Sequence, residues 1–417
     1  MQNEIAASNK FFEGLTLPYC TDIHMRVAGL FAGIGGFELG LQRSGHRAEI
    51  LCDVLPAARE VLTDHFPESE YHHDIARLRS LPSSIDLICG GFPCQDLSQA
   101  GLAAGIQGER SGLVAEIFRL LSRRKVSTVV LENVPFMLQL NRGHAIRAIT
   151  AELERRGYRW AYRVVDTYGF GLPQRRERVF IVASTFLDPA EVLFADEVHL
   201  ARPQSSIASL AHGFYWTEGR GGLGWAVDAV PTLKNGSTIG IPSPPAILLP
   251  GGEIVKPGLN DVERMQGFAP DWTIAAERVD RKAVRWSLVG SAVSVPVAQW
   301  LGKRLAQPGK MDRSRLAQLP SSGAMPKAAM FDGKRIHSVR ISADPLGIRP
   351  PHLTDFLDRS EGTTPLSLKA TLGFLRRTRT AKLKFVPGFI EAVERHAVAM
   401  GALPDDMPRR QLDLIAA

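Results

Sequence analysis

The sequence predicts an α/β protein built on a doubly wound, mostly parallel sheet. Short runs rich in β-branched and apolar residues alternate with stretches of helical character. These runs lie at 26–31, 48–53, 85–91, 126–133 and 178–185. Strands separated by about 10–15 helical residues are typical of βαβ units, in which helices cover both faces of a parallel sheet. Ligands of such sheets bind at the carboxyl ends of the strands, so functional residues are expected at that edge.

Length and composition are those of a folded chain. It has 417 residues, 45% apolar and 22% charged, which corresponds to two or three domains of about 150 residues each. No apolar run approaches the roughly 20 residues of a membrane helix, and the N-terminus lacks the pattern of a signal peptide. The four cysteines show no CxxC spacing, so neither a zinc site nor a disulfide framework is expected. We expect a soluble, cytoplasmic protein without a metal.

The positive charge is concentrated in the C-terminal part of the chain. Residues 301–417 hold 20 Lys and Arg against 11 Asp and Glu, whereas residues 1–300 hold 30 against 32. A basic segment attached to a nearly neutral body favours a polyanionic partner, most simply nucleic acid. A solvated basic surface is the alternative that composition leaves open.

Composition also divides the chain into segments. The alternating pattern occupies 25–185. Gly, Pro and Ser dominate 186–257, which indicates a smaller, irregular or β-rich region. Compact segments return over 258–305, and a polar stretch at 306–333 is typical of a linker. Apolar residues at three- and four-residue spacing predict helices within the basic segment 334–417.

A glycine turn follows the first strand. The sequence FAGIGG at 31–36 ends that strand and opens a helix. Glycines there let the backbone approach a ligand, and the helix N-terminus favours a negative group. Asp53, at the end of the second strand, is placed to accept hydrogen bonds from ribose hydroxyls. A purely structural turn is the alternative.

Two further strands end in residues that can carry chemistry. Cys94, in GGFPCQ at 90–95, is either a nucleophile with a stabilised thiolate or a small buried residue. Glu132, in ENV at 132–134, is either a cap or a functional acid whose pKa burial would raise.

A cluster of arginines precedes the last strand of the pattern. The sequence QRRER at 174–178 places three arginines within four residues. Such a cluster suits contacts to phosphate or to a substrate oxygen. Taken alone, it equally fits a solvated rim.

In this order, these segments resemble the cytosine-5 DNA methyltransferase family of the bacterial restriction-modification type. FAGIGG is similar to the motif that holds S-adenosylmethionine, GGFPCQ to the catalytic-cysteine motif, ENV to the acidic motif and QRRER to Q-x-R-x-R. Three further segments also match, at 110–113, 264–268 and 290–293. The resemblance covers about 26–185 and 258–305. It departs from the family at Ser291, usually Asn, and at Asp261, usually Glu.

The resemblance implies an S-adenosylmethionine-dependent methyltransferase fold and a set of roles. Cys94 would add to C6 of cytosine and Glu132 would hold N3 and the exocyclic amine. Arg176 would sit beside the base carbonyl and Arg178 would support it. The implied cofactor contacts are Phe31, Ala32, Gly33, Gly35, Gly36, Asp53, Val54, Asp74, Ile75, Gly91, Leu113, Ser291, Ala292 and Val293. The implied DNA contacts are Gln95, Ser98, Thr232 and Leu233.

The resemblance also gives the segments their implied functions. Residues 25–185 and 258–305 would form the catalytic and cofactor-binding domain, and 186–257 the target-recognition region. The loop 96–109 would close over a flipped-out base. For the extension 334–417 we hypothesise further DNA contacts, with protein docking or simple packing as the alternative. The main basic cluster comprises Arg376, Arg377, Arg379, Lys382 and Lys384.

The implied substrate is double-stranded DNA, with a monomeric enzyme and a cognate restriction endonuclease as a candidate partner. The same chemistry on tRNA is an alternative, but the Cys-Phe-Thr element of such relatives is absent from the sequence. A catalytically silent scaffold would be favoured by loss of Cys94, Glu132 or Arg176, and all three are present. A nicotinamide dehydrogenase would leave PCQ, ENV and QRRER unexplained.

Overall fold

The structure is a computed structural model that describes residues 23–93, 112–218, 222–236, 244–320, 323–360 and 362–407. Its strands are β1 Arg26–Leu30, β2 Arg47–Cys52, β3 Glu70–His72, β4 Leu87–Gly91, β5 Thr128–Asn133, β6 Arg159–Asp166, β7 Gln174–Arg175, β8 Glu177–Ser184, β9 His212–Phe214, β10 Ala226–Val227, β11 Val230–Pro231, β12 Ala246–Leu248, β13 Ile254–Lys256, β14 Leu316–Gln318, β15 Ala328–Phe331, β16 Ile336–Val339 and β17 Thr364–Pro365. Its helices are α1 Gly36–Gln42, α2 Pro56–His65, α3 Gly112–Arg123, α4 His144–Arg155, α5 Pro189–Leu193, α6 Leu259–Arg264, α7 Val284–Ser291, α8 Val295–Ala306, α9 Leu353–Phe356, α10 Leu368–Arg379 and α11 Phe389–Ala399.

A large sheet forms the centre of the molecule. Among the described residues it has ten strands in the order β14-β16-β15-β6-β8-β5-β4-β1-β2-β3. The half from β3 to β5 is parallel, whereas β8, β6, β15, β16 and β14 pair antiparallel. The predicted α/β fold is confirmed, and the sheet is larger and more antiparallel than the sequence indicated.

Both faces of the parallel half are buried, which explains its nearly continuous apolar strands. Along β5, Val129 and Leu131 pack in one hydrophobic core and Val130 packs in another, on the opposite face. Helices α3 and α4 cover the first face, and α1 and α8 cover the second. The sheet therefore lies between two helical layers, as a doubly wound fold requires.

The segment 306–333 is not the linker that its polar composition predicted. It contributes β14 and β15, and β15 pairs with β6 from Ala328 opposite Arg163 to Phe331 opposite Trp160. Residues 328–330 are buried. A four-residue apolar strand between polar loops is too short to stand out in a composition profile, yet it covers the edge of β6.

A second, five-stranded sheet has the order β10-β9-β12-β13-β17 in the described chain. Four of its strands come from the region 186–257, and β17 comes from the C-terminal extension. The predicted helices of the extension are present as α10 and α11, and the extension also supplies β16 to the large sheet. None of the described helices has the length and hydropathy of a transmembrane span.

Candidate active site

The glycine turn joins the carboxyl ends of β1 and β2. Gly33 and Gly35 have φ angles of 56° and 81°, a region that favours glycine. The Gly33 N–H donates to Asp53 Oδ2 at 2.8 Å, and the Leu55 N–H donates to Asp53 Oδ1 at 2.9 Å. Burial raises the pKa of the Asp53 carboxyl, and these hydrogen bonds oppose the rise.

The turn forms a cradle at the sheet edge. A Cβ added to Gly33 would project into open space, and Val54 is 59% exposed beside Asp53. Asp74 accepts a hydrogen bond from the Ala76 N–H and caps the turn that begins at the buried Ile75. Open backbone, a carboxylate and an exposed apolar side chain together fit a nucleoside-type ligand such as S-adenosylmethionine.

The end of α7 closes this cradle from a distant part of the chain. A Cβ on Gly36 would overlap the Val293 carbonyl oxygen, and a Cβ on Gly91 would lie 3.9 Å from Val293 Cγ2. Ser291 is exposed and Ala292 is buried. The structure therefore brings together the predicted cofactor contacts of the first turn, of β4 and of 291–293. Phe31 and Ala32 belong to the same turn, and Leu113 lies in the first turn of α3.

Glu132 is the second-to-last residue of β5, and it lies directly opposite Gly91 of β4. Its side chain is nearly buried, and its Oε1 atom lies 2.9 Å from Arg178 Nε. Burial raises the pKa of the Glu132 carboxyl, while the charges of Arg178 and Arg176 act in the opposite direction. A Cβ at Gly91 would come within 2.8 Å of Glu132 Oε2, so only glycine leaves the carboxylate this space.

The two motif arginines have different environments. Arg176 is 2% exposed, and its guanidinium donates to the carbonyls of Leu233, Gly290 and Ala292 at 3.1, 3.2 and 2.7 Å. Burial, and next the charge of Arg178, lower the pKa of Arg176 well below its ordinary value. Arg176 thus connects its own segment by hydrogen bonds to the segments at Leu233 and at 290–292, whereas Arg178 contacts Glu132.

This arrangement differs from the predicted roles, which placed Arg176 beside the base and Arg178 in support. Arg176 precedes β8, and its backbone N–H donates to Asp166 Oδ1 at 2.9 Å. Arg178 lies within β8, which pairs with β5, the strand of Glu132. A Q-x-R-x-R pattern cannot indicate which arginine lies next to the carboxylate, because both positions have the same parity along an extended chain.

Asn133 is a further site residue that the motif contained but the prediction did not use. Its Nδ2 donates to the Phe92 carbonyl at 3.0 Å, and its Oδ1 accepts from the Val134 N–H at 2.8 Å. It thus fixes the backbone two residues before Cys94. Cys94, Gln95, Ser98 and the predicted loop 96–109 lie outside the described residues.

The predicted DNA contacts Thr232 and Leu233 form hydrogen bonds with the segment 174–175. The Thr232 hydroxyl donates to the Arg175 carbonyl at 2.9 Å, and the Leu233 N–H donates to Gln174 Oε1 at 3.0 Å. The Leu233 side chain packs in a hydrophobic core, so the prediction of a DNA contact is corrected for this side chain. Gln174 also donates to the Met265 carbonyl, which connects the 174–178 and 264–268 motifs.

The departure at Asp261 has a structural explanation. Asp261 is buried at the start of α6 and accepts hydrogen bonds from the Gly258 and Asp358 N–H groups. Gly362 approaches it so closely that a Cβ there would lie 3.1 Å from Asp261 Oδ2. The shorter Asp therefore suits the close packing of the C-terminal extension. No group of metal-ligating side chains large enough to hold an ion occurs among the described residues.

The family model and the relatives in sequence point to one class of protein. The family model for C-5 cytosine-specific DNA methylases matches residues 25–203. The Type II methyltransferase M2.BsuMI of Bacillus subtilis (strain 168) is 44% identical over 89% of this chain and 98% of its own. M.BsuFI of Bacillus subtilis is 33% identical over 38% of this chain and 39% of its own. The S. pombe Dnmt2 methyltransferase structure aligns with a TM-score of 0.48 at 16% identity, over 68% of this chain and 98% of that one.

Proposed function

Because the chain belongs to the C-5 cytosine-specific DNA methylase family, we propose that it methylates C5 of a flipped-out cytosine within a specific sequence of double-stranded DNA. The enzyme is a DNA cytosine-5-methyltransferase. The finer parts of the proposal are S-adenosylmethionine as the donor, a covalent intermediate on Cys94 and a role in restriction-modification.

The observation that carries the proposed mechanism is the Glu132–Arg178 pair at the carboxyl ends of β4 and β5. A carboxyl group with a raised pKa can share a proton with N3 of cytosine and accept a hydrogen bond from the exocyclic amine. The Arg178 guanidinium beside it can donate to the base carbonyl. Together they would stabilise the charge that develops when a nucleophile adds to the ring.

Cys94 would supply that nucleophile. It follows Gly91 by three residues in the sequence, and Gly91 lies opposite Glu132. Addition of its thiolate to C6 places electron density on C5, which is otherwise a poor nucleophile. C5 would then take the methyl group from the bound donor, which leaves as S-adenosylhomocysteine, and loss of the C5 proton with expulsion of the Cys94 thiolate would give 5-methylcytosine.

The cradle around Gly33 is proposed to hold the methyl donor. When bound, S-adenosylmethionine supplies an electrophilic methyl group. Asp53 would accept hydrogen bonds from its ribose hydroxyls, Val54 would lie against its adenine, and the backbone at 291–293 would close the pocket next to Gly91. The other predicted cofactor contacts of the turn, Phe31, Ala32, Gly35 and Gly36, are proposed to line the same pocket.

Target recognition and biological context complete the proposal. The cytosine is inaccessible inside a duplex and must be flipped out, and the second sheet is proposed to bind the surrounding DNA. The relatives with similar sequences are named Type II methyltransferases. This supports modification of DNA alongside a cognate restriction endonuclease.

Bisulfite sequencing tests the proposal. Plasmid DNA is recovered from a host without cytosine methylation that expresses the wild type, Cys94→Ser or, as the matched control, Cys20→Ser. We expect protected cytosines in one short context with the wild type and the control, and none with Cys94→Ser. Unprotected DNA with all three proteins would contradict the proposal and direct attention to RNA.

A further inference from the structure

The C-terminal extension completes the second sheet. Strand β17 pairs antiparallel with β13, with Pro365 opposite Val255 and Thr364 opposite Lys256. The Leu366 N–H continues this pairing by donating to the Ile254 carbonyl at 2.8 Å. The buried His396 of α11 accepts from the Ile254 N–H and also bonds the Leu366 carbonyl. The sheet is therefore built from two segments that are about 100 residues apart in the chain.

These two segments share one hydrophobic core. It contains residues of the small sheet, such as Phe214 and Leu248, together with residues of α10 and α11, such as Phe374 and Phe389. The Phe214 ring lies 5.2 Å from that of Phe374 and 5.1 Å from that of Phe389. This core is separate from those of the large sheet, so the two segments form one structural unit.

Arg377 of α10 joins this unit to a polar turn. Its Nε donates to the Glu218 carbonyl at 2.9 Å, and its Nη2 donates to the Trp216 carbonyl at 2.6 Å. Two parallel donors on a planar guanidinium fix the position of a backbone more strictly than one ammonium group can. The neighbouring Arg376 is exposed and offers a matched comparison.

The turn 216–218 is connected to the catalytic strands by side chains. Glu218 forms an ion pair with Lys234, whose ammonium lies 3.7 Å from the centre of the Tyr215 ring. The Tyr215 hydroxyl donates to the Thr232 carbonyl at 2.7 Å, and Thr232 contacts Arg175, next to Arg176. The charged side chains of Glu218 and Lys234 are each about one-third exposed, as groups that contact base edges or phosphates must be.

We propose that the target-recognition domain is a composite of the described parts of 212–256 and the segment 364–399, and that Arg377 is a positioning residue for DNA recognition. It holds the turn 216–218, and with it Glu218 and Lys234, next to the segment that contains Arg175 and Arg176, where we place the DNA. This inference rests on the proposed methylation of DNA. It assigns to the extension a role in sequence discrimination, beyond non-specific attraction of DNA by its charge.

The test compares Arg377→Gln, Arg377→Lys and the control Arg376→Gln in the full-length protein. Methylation of one plasmid is measured for KM towards DNA, for kcat and for the share of methylated cytosines outside the wild-type context. Cofactor affinity and the thermal midpoint are measured in parallel. Loss of hydrogen bonds to a charged donor corresponds to about tenfold in binding. We expect Arg377→Gln to raise KM and the off-context share by about tenfold each, with kcat and cofactor affinity unchanged.

The other variants distinguish the effect of the two guanidinium hydrogen bonds of Arg377 from the effect of its positive charge. Arg377→Lys keeps the charge but not the paired donors, so it should lie between the wild type and Arg377→Gln. Arg376→Gln removes an exposed charge that we propose for a DNA phosphate, so it should raise KM but keep the wild-type context. An off-context share for Arg377→Gln no higher than that for Arg376→Gln would overturn the inference, as would a fall in kcat, cofactor affinity and thermal midpoint together. A wild type that methylates no cytosine would contradict the proposed function itself. A wild type that methylates DNA, together with an Arg377→Gln variant of unchanged KM and context, would contradict only the role of Arg377.

Discussion

At the scale of single residues, the environment of Glu132 decides what its carboxyl group can do. Burial raises the pKa of this carboxyl, and Arg178 limits the rise. A carboxyl group whose pKa is raised by burial and lowered by a neighbouring arginine can donate a proton to the ring of cytosine or accept one from it. Gly91 and Arg178 thus determine the chemistry of Glu132 as much as the carboxyl group itself does.

Glu132→Gln tests this role. The amide keeps the shape of the side chain but cannot exchange a proton, so we expect the methylation rate to fall by about 100-fold or more. DNA binding, measured by titration, should change little. The control is Glu68→Gln, which replaces an exposed carboxylate on a surface turn. An enzyme with Glu132→Gln that keeps the wild-type rate would contradict the assignment.

Glu38 predicts a dependence of stability on pH. It is buried in the first turn of α1, its Oε1 atom lies 3.7 Å from Cys89 Sγ, and burial raises its pKa from 4.5 to about 7. The folded state therefore favours the protonated carboxyl. The stability that this group contributes is complete below pH of about 4.5 and is lost as the pH rises through about 7.

The corresponding measurement is the free energy of unfolding at pH 5 and pH 8 for the wild type and Glu38→Gln. At 1.36 kcal/mol per pKa unit, the wild type should lose about 2.5 kcal/mol more than the variant over this interval. Parallel pH curves for the two proteins would show that Glu38 is ionised in the folded state at both pH values.

At the scale of elements, Arg176 connects the β7–β8 corner to the segments at Leu233 and at 290–292. Lysine cannot reach three carbonyls in different directions, so Arg176→Lys should leave buried acceptors without donors. We expect it to reduce the free energy of unfolding by about 2–4 kcal/mol. Urea unfolding provides the measurement.

Arg178→Lys is the matched comparison for Arg176→Lys. Its guanidinium contacts the Glu132 carboxylate, so the substitution should lower the methylation rate while the free energy of unfolding changes by less than about 1 kcal/mol. A lower methylation rate for Arg176→Lys and a lower free energy of unfolding for Arg178→Lys would contradict this assignment. They would instead support the first prediction, in which Arg176 lies beside the base and Arg178 supports it.

The elements also show how far the sequence was sufficient. The parallel strands β1, β2, β4 and β5 and the glycine turn could be predicted, because long apolar runs and the FAGIGG sequence have strong local signals. β15 could not be predicted, because a four-residue strand has little local signal and is stabilised by its pairing with β6. The division of labour between Arg176 and Arg178 likewise depends on which strand each one faces, and local sequence does not contain that information.

At the scale of the whole molecule, the basic extension has more than one structural task. Its strand β16 joins the large sheet through β15 and its strand β17 joins the small one. Within its basic cluster, Arg377 holds backbone carbonyls and Arg379 pairs with Glu394. Arg376, Lys382 and Lys384 are exposed and remain the side chains that we propose for DNA phosphates. The count of basic residues predicted a nucleic-acid partner. It could not distinguish the basic side chains that bind groups of the protein from those that remain exposed.

The central claim is that Cys94 forms a covalent bond to the target base, and one measurement tests it directly. An oligonucleotide carrying 5-fluorocytosine at the methylated position is incubated with the enzyme and S-adenosylmethionine, then analysed by denaturing electrophoresis. Fluorine cannot leave C5 as the proton does, so elimination of the thiolate is blocked. We predict a protein–DNA complex that survives denaturation with the wild type and Cys20→Ser, and none with Cys94→Ser. Methylation of ordinary cytosine without any trapped complex would contradict the account.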